Sequence, residues 1–212
     1  MLDTDQIIAD NYHKLYYDGL GWVQNSFLGF PIQQNPLDLQ IYQEILTTVR
    51  PTAVIQTGVA RGGSLLFFAT ILDALHIPPD VLVIGIDNTE FEECKALSNK
   101  RIRIIIADSI HPNTIQLIHS LVADGTALVS LDSCHAQDHV LKEIYAYRDL
   151  VAVGSYLVVE DININGHPVL PNFVPGPWEA VNQFLPTDTR FINDGLWEKN
   201  YLTWYAWLKR II

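Results

Sequence analysis

Cysteine is scarce: Cys94 and Cys134 are the only two in 212 residues. That excludes a disulfide framework and a cysteine-built zinc site, and it suits a reducing compartment. Basic residues are also few, 13 Lys and Arg against 24 Asp and Glu, for a formal net charge of −11. Phosphate binding needs a basic face, and here Lys and Arg are scattered, so no nucleic-acid partner is expected. Long apolar runs are missing as well. The most apolar stretch, Ser64 to Leu75, is interrupted by Asp73 and falls short of the roughly 20 residues of a membrane span. Met1 to Asp10 carries three aspartates and no basic lead-in, unlike a secretory signal. The expectation is a soluble, cytoplasmic protein with no membrane partner. Charged residues make up 17% of the chain, but hydrophobic residues reach 49%, which excludes wholesale disorder. The length suits one α/β domain with a sizeable core.

What is present alternates between short apolar runs and amphipathic stretches, the pattern of a parallel α/β sheet. The predicted strands are Ala53–Thr57, Val81–Ile86, Ile102–Ile106, Ala127–Leu131 and Tyr156–Val159. Most are rich in β-branched residues, as strands covered on both faces are. Helices are predicted at Gly63–His76, Pro112–Ala123 and Gln137–Val151, with a weaker one at Glu90–Leu97. Pro177–Leu185 is a further helix, with proline in its first turn. Arg190–Ile192 and Leu202–Leu208 read as two last strands, an antiparallel pair at the sheet edge. Residues 1–50 form an N-terminal arm with a capping helix at Asp38–Arg50, and residues 51–212 form the main domain. In the arm Tyr12, Tyr16, Tyr17, Trp22, Phe27 and Phe30 are interleaved with Gly and Pro. It can cap the working edge of the sheet, or pack on the core or on another subunit, and self-association is expected.

Thr57-Gly58-Val59-Ala60-Arg61-Gly62-Gly63-Ser64 is a glycine turn between a strand and a helix. Glycine lets backbone approach a ligand, and a helix N-terminus offers free N–H donors. The spacing has Ala60 where a dinucleotide fingerprint has glycine, and no Gly-Lys-Ser/Thr of a P-loop follows. A nucleoside ligand without pyrophosphate, such as S-adenosylmethionine, suits it; a structural tight turn is the plainer alternative. Asp87 ends the second strand, where an acid can accept from ribose hydroxyls. Asp108 and Ser109 end the third in the same way.

Asp132 ends the fourth strand, and Glu160 with Asp161 ends the fifth. If those strands are neighbours, three carboxylates converge and need a cation to neutralise them. Hard oxygen ligands suit Mg²⁺. His135, three residues after Asp132, is placed to act as a general base. A competing metal set is Asp132, His135 and His139, the two histidines sharing a face if the helix is continuous and binding zinc or iron.

In these residues the chain resembles the cephalosporin hydroxylase-type family, which includes S-adenosylmethionine-dependent sugar and antibiotic O-methyltransferases. The matching stretches are Pro36-Leu37-Asp38-Leu39 with Tyr42-Gln43-Glu44, the glycine turn, Gly85-Ile86-Asp87, Asp132-Ser133-Cys134-His135, and Gly154 through Asp161. Asn165-Gly166-His167-Pro168-Val169, Gly176-Pro177 and Leu208-Lys209-Arg210 continue it to residue 210.

The resemblance implies a Rossmann-like methyltransferase fold, a mostly parallel seven-stranded sheet with helices on both faces. It implies that Gln56, Gly58, Arg61, Ser64, Asp87, Asp108 and Ser109 hold S-adenosylmethionine. Asp132, Glu160 and Asp161 would hold Mg²⁺, and His135 would be the catalytic base. The acceptor would be a hydroxyl of a sugar or small natural product. Two features depart from the family: Gln56 replaces its usual Glu, and the tail Tyr201-Leu202-Thr203-Trp204-Tyr205-Ala206-Trp207 is unusually aromatic. The first makes a degenerate, non-catalytic nucleoside-binding module the main rival; an oxidoreductase or hydroxylase is the second.

Overall fold

The β-branched runs pair as five parallel strands, and the computed structural model describes residues 4–122, 127–197 and 202–212. An N-terminal helix α1 (Thr4–Asp18) leads into a small hairpin, β1 (Ser26–Phe27) and β2 (Phe30–Pro31), and then α2 (Pro36–Val49). The main sheet begins with β3 (Ala53–Thr57), followed by α3 (Gly63–Ala74), β4 (Leu82–Asp87), β5 (Ile102–Ile106) and α4 (Pro112–Leu121). It continues through β6 (Ala127–Leu131), α5 (Gln137–Tyr147), β7 (Tyr156–Val159), α6 (Pro177–Phe184), β8 (Phe191–Asn193) and β9 (Ala206–Arg210). The seven strands lie in the order β5-β4-β3-β6-β7-β9-β8. The first five are parallel, β9 runs antiparallel to β7, and β8 antiparallel to β9.

Alternation along the central strands divides the core into two layers. Ala53 and Ile55 of β3 face Ile118 of α4, Ile144 of α5 and Phe184 of α6. Val54 points the other way, into a layer with Ile41 and Ile45 of α2 and Phe68 and Leu72 of α3. Local chemistry starts the helices. The Asn35 side chain accepts from the Leu37 amide ahead of α2, and Pro36 occupies the first turn. Glu179 returns its carboxylate to the Gly176 amide at the start of α6.

Several boundaries move. Residues 4–18 are helical, although the sequence shows no continuous apolar stripe there; His13 is the single buried residue of α1. Tyr16 and Tyr17 lay their rings against Trp204, so the arm packs on the C-terminal segment of its own chain. Glu90–Leu97 holds only a short 3-10 turn, Glu92–Ala96. The last long helix ends at Tyr147 and tightens into a 3-10 turn over Arg148–Leu150. The final strand starts at Ala206 rather than Leu202. The Thr203 hydroxyl accepts from the Tyr205 amide and the Trp207 indole, which bends the chain before the strand. Ala123 and Tyr201, named in the expected elements, lie outside the described residues.

Candidate active site

The carboxyl ends of β3 to β6 surround a cavity of about 390 Å³, a size that suits a small-molecule ligand. Gln56, Gly58, Arg61, Ser64, Asp87, Asp108, Ser109 and Asp132 all line it. Residues spread over nearly eighty positions of sequence therefore meet at one wall.

Gly58 is required by contact as well as by conformation. Its φ is +76°, and a Cβ there would lie 1.9 Å from the Asp132 carbonyl oxygen. The cofactor turn and the loop after β6 thus touch. Asp87 accepts from the Val59 and Ala60 amides at 2.8 and 3.1 Å and from the Thr89 amide at 2.9 Å. It holds the turn shut while facing the cavity. Gln56 is 1% exposed, and its Oε1 accepts no hydrogen bond among the described residues. A buried acceptor in that state calls for a donor, which fits a ligand amine in the cavity. Arg61 is committed to Glu93, with its guanidinium 5.9 Å from the Phe91 ring centre, so its charge stays at the rim. Asp108 accepts from the Ile110 amide, and Ser109 donates to Glu143.

The register explains the acids. Leu131 pairs with Val159, so Asp132 and Glu160 follow side by side at the ends of β6 and β7. Asp161 takes a left-handed backbone, φ +55°, a conformation Asp adopts more readily than most residues, and it turns the side chain away from that of Glu160. His135 stands with Nε2 3.3 Å from Asp132 Oδ1 and Nδ1 3.7 Å from Asp161 Oδ2. Asp132, His135 and Asp161 each offer a ligand atom within 4.8 Å of the others. Asp132 and Asp161 keep 27% side-chain exposure, which leaves them open to an ion.

Glu160 is buried where Asp132 and Asp161 are open. Its side chain continues the face of Val158, toward α2, and is 1% exposed. Oε1 accepts from the Tyr42 and Ser130 hydroxyls at 2.7 and 2.5 Å, and Oε2 from the Gln34 amide at 3.0 Å. The rival set of Asp132, His135 and His139 is corrected outright. Helix α5 begins at Gln137, so His135 precedes it and the two histidines share no helix face. His139 instead meets Ser109, Ser133 and Glu143. Sequence spacing gave no sign of Gln34, Tyr42, Ser133 or Glu143 as site partners; Gln34 and Tyr42 join through contacts more than a hundred positions away, and Glu143 reaches back to Ser109 and Ser133.

Charge crowding shifts the titrations. Burial raises the Asp132 carboxyl, against the lowering pull of His135. Burial and then the charge of Asp132 push Glu160 well above the usual range. Burial takes Asp161 up to about 6, with His135 opposing. Burial alone would lower His135, but its bond to Asp132 and the charges of Asp161, Asp132 and Glu160 push it up to about 9. Acids destabilised in their charged forms beside an open set of oxygens make a site for a hard cation.

The Rhamnosyl O-methyltransferase/CmcI family model matches residues 21–211. Rhamnosyl O-methyltransferase of Mycobacterium tuberculosis is 36% identical over 189 residues, covering 88% of this chain and 76% of its own. The Mycobacterium leprae protein of the same name is 37% identical over 183 residues, covering 85% and 79%. Among solved structures, a Mg-SAM form of CmcI aligns at a TM-score of 0.68 with 19% identity, covering 90% of this chain and 78% of its own. The sheet order, the cavity at its carboxyl edge and these matches lead to one assignment: the chain belongs to the rhamnosyl O-methyltransferase/CmcI family of S-adenosylmethionine-dependent O-methyltransferases.

Proposed function

We propose that the chain methylates a hydroxyl of a deoxyhexose, with S-adenosylmethionine in the cavity and Mg²⁺ at the acids beside it. The observation that carries the reading is the group Asp132, His135 and Asp161, within 4.8 Å of one another at the cavity edge. The sugar acceptor is taken from the names of the mycobacterial relatives. Asp132 and Asp161 are the exposed ligands. Glu160 contributes through Oε2, which accepts from the Gln34 amide, whereas Oε1 is already engaged by two hydroxyls. The unpartnered Oε1 of Gln56 accepts from the methionine amine, and Asp87 lies along the wall for the ribose.

When bound, S-adenosylmethionine supplies the methyl group and Mg²⁺ lowers the pKa of the acceptor hydroxyl. His135 removes the hydroxyl proton, and Asp132 orients its imidazole through Nε2. A base must be unprotonated. The carboxylates hold His135 up to about 9, so their neutralisation is a condition of the role. The protein otherwise aligns donor and acceptor, an effect that can contribute roughly 7–11 kcal/mol of the barrier.

The test follows radiolabelled methyl from S-adenosylmethionine onto rhamnose-containing glycosides after exhaustive EDTA treatment, with and without added Mg²⁺. Transfer restored by Mg²⁺ supports the reading. Full transfer in EDTA would sink the metal role. Cofactor binding with no transfer to any glycoside would instead support a binding module.

A further inference from the structure

Glu143 lies behind the cavity wall on α5, 1% exposed. Its Oε1 accepts the Ser109 hydroxyl at 2.5 Å and the Ser133 hydroxyl at 2.7 Å. Each hydroxyl has one proton, and both are spent on Glu143. The Nε2 of His139 stands 3.3 Å from Ser109 Oγ and 3.2 Å from Ser133 Oγ. Those oxygens have only lone pairs left to offer, so Nε2 carries the hydrogen. The tautomer is thereby fixed, and Nδ1 is the acceptor of the neutral ring. Nδ1 makes no hydrogen bond among the described residues. Tyr147 donates to the Ser109 carbonyl at 2.6 Å and pins the same loop. Ser109, Ser133 and His139 all line the cavity.

The sheet order sets the direction of a nucleoside there. From the glycine turn on β3, Asp87 ends the neighbouring β4, and Ser109 follows the end of β5 beyond it. A ribose at Asp87 turns its base toward Ser109 and the His139 ring bonded to it. We propose that His139 reads this base. Its Nδ1 accepts a hydrogen bond from the exocyclic amine of a 6-aminopurine and disfavours a 6-oxopurine, while Glu143 is the positioning residue that fixes the tautomer. This rests on the nucleoside reading of the cavity given above. A 6-oxo group would set one acceptor against another and leave both unpaired.

The charged groups facing the ring are Glu143, whose hydrogen bond draws the imidazole pKa upward, with Asp108 and Lys142. Binding is therefore measured at pH 9, on the alkaline side of the imidazole range. Calorimetry compares S-adenosylhomocysteine with S-inosylhomocysteine, its 6-oxo counterpart. The unaltered protein should prefer the amino form by about tenfold. His139→Ala should bring the two ligands to near parity, with little loss for the 6-oxo form. The His139 side chain is 21% exposed, so this variant leaves the core intact. Glu143→Leu removes the acceptor that orders both hydroxyls and should shrink the same ratio, whereas a merely structural role would weaken both ligands alike and leave the ratio unchanged. Equal affinities in the unaltered protein, or a preference that survives His139→Ala, would overturn the proposal. Failure of the unaltered protein to bind either ligand would overturn the nucleoside reading itself.

Discussion

Gln56 carries a neutral amide on the cavity wall, and the fold leaves its Oε1 buried without a donor among the described residues. Gln56→Leu removes that acceptor and keeps most of the volume. It should weaken S-adenosylhomocysteine by roughly tenfold, the worth of one good hydrogen bond to a charged group, measured by calorimetry. The acids next to it separate by exposure. Asp132 is open to the cavity, whereas one oxygen of Glu160 is already engaged by two hydroxyls. Asp132→Asn should therefore lower Mn²⁺ affinity, read by electron paramagnetic resonance, more than Glu160→Gln does. Equal losses would make Glu160 a full ligand. His135→Ala should lower the transfer rate by roughly 10²–10⁴-fold, the range for a positioned general base. Cofactor affinity should be unchanged, because His135 stands outside the cavity lining.

Among the elements, the junction of β3 with β6 matters most. The Asp132 amide bonds to the Thr57 carbonyl at 3.0 Å, extending the ladder one residue past the end of β6. Gly58 then passes so close to Asp132 that no side chain fits. The glycine turn and the loop after β6 are one packed unit. Gly58→Ala should force them apart, destabilising the fold by roughly 2–4 kcal/mol through a clash and a strained φ, as read by urea unfolding. Its residual folded fraction should lose affinity for both S-adenosylhomocysteine and Mn²⁺. Loss of only one would show that the two sites are independent. Helix α5 acts in the opposite sense. By starting at Gln137 it sends His135 to the acids and His139 to the far wall.

At the scale of the whole molecule, Asp38 ties α2 to the chain entering β9. It is fully buried and accepts from the Thr203 hydroxyl and the Trp204 amide. Burial, only partly offset by these bonds, raises its carboxyl to about 7 from 3.8. Below the unfolded value Asp38 is protonated in both states. Between the two values the folded state holds more protons, so stability falls as pH rises and the loss is complete above the folded value. At ~1.4 kcal/mol per pKa unit, the effect is at most ~4 kcal/mol. Asp38→Asn should flatten this part of the stability curve between about pH 4 and pH 7. Urea midpoints across that range test it, and an unchanged slope would clear Asp38 of the role.

The sequence alone determined the sheet and the edge at which its glycines and acids gather. Ala53–Thr57, Ala127–Leu131 and Tyr156–Val159 are buried at every position, and such strands announce themselves by short, mostly apolar runs. The acids and glycines that end them were legible for the same local reason. Tertiary structure decided which of those acids stay open and which are buried. Glu160 and Asp161 are adjacent, yet alternation and a left-handed turn send one toward Tyr42 and the other toward His135. Tyr42 and Glu160 are 118 positions apart, and Asp38 and Thr203 are 165. Helix α1 was hidden too, because its partner Trp204 comes near the other end of the chain. Local periodicity reports what a residue does within its own turn or strand. Hydrogen bonds between distant segments exist only once the sheet order has brought those segments together.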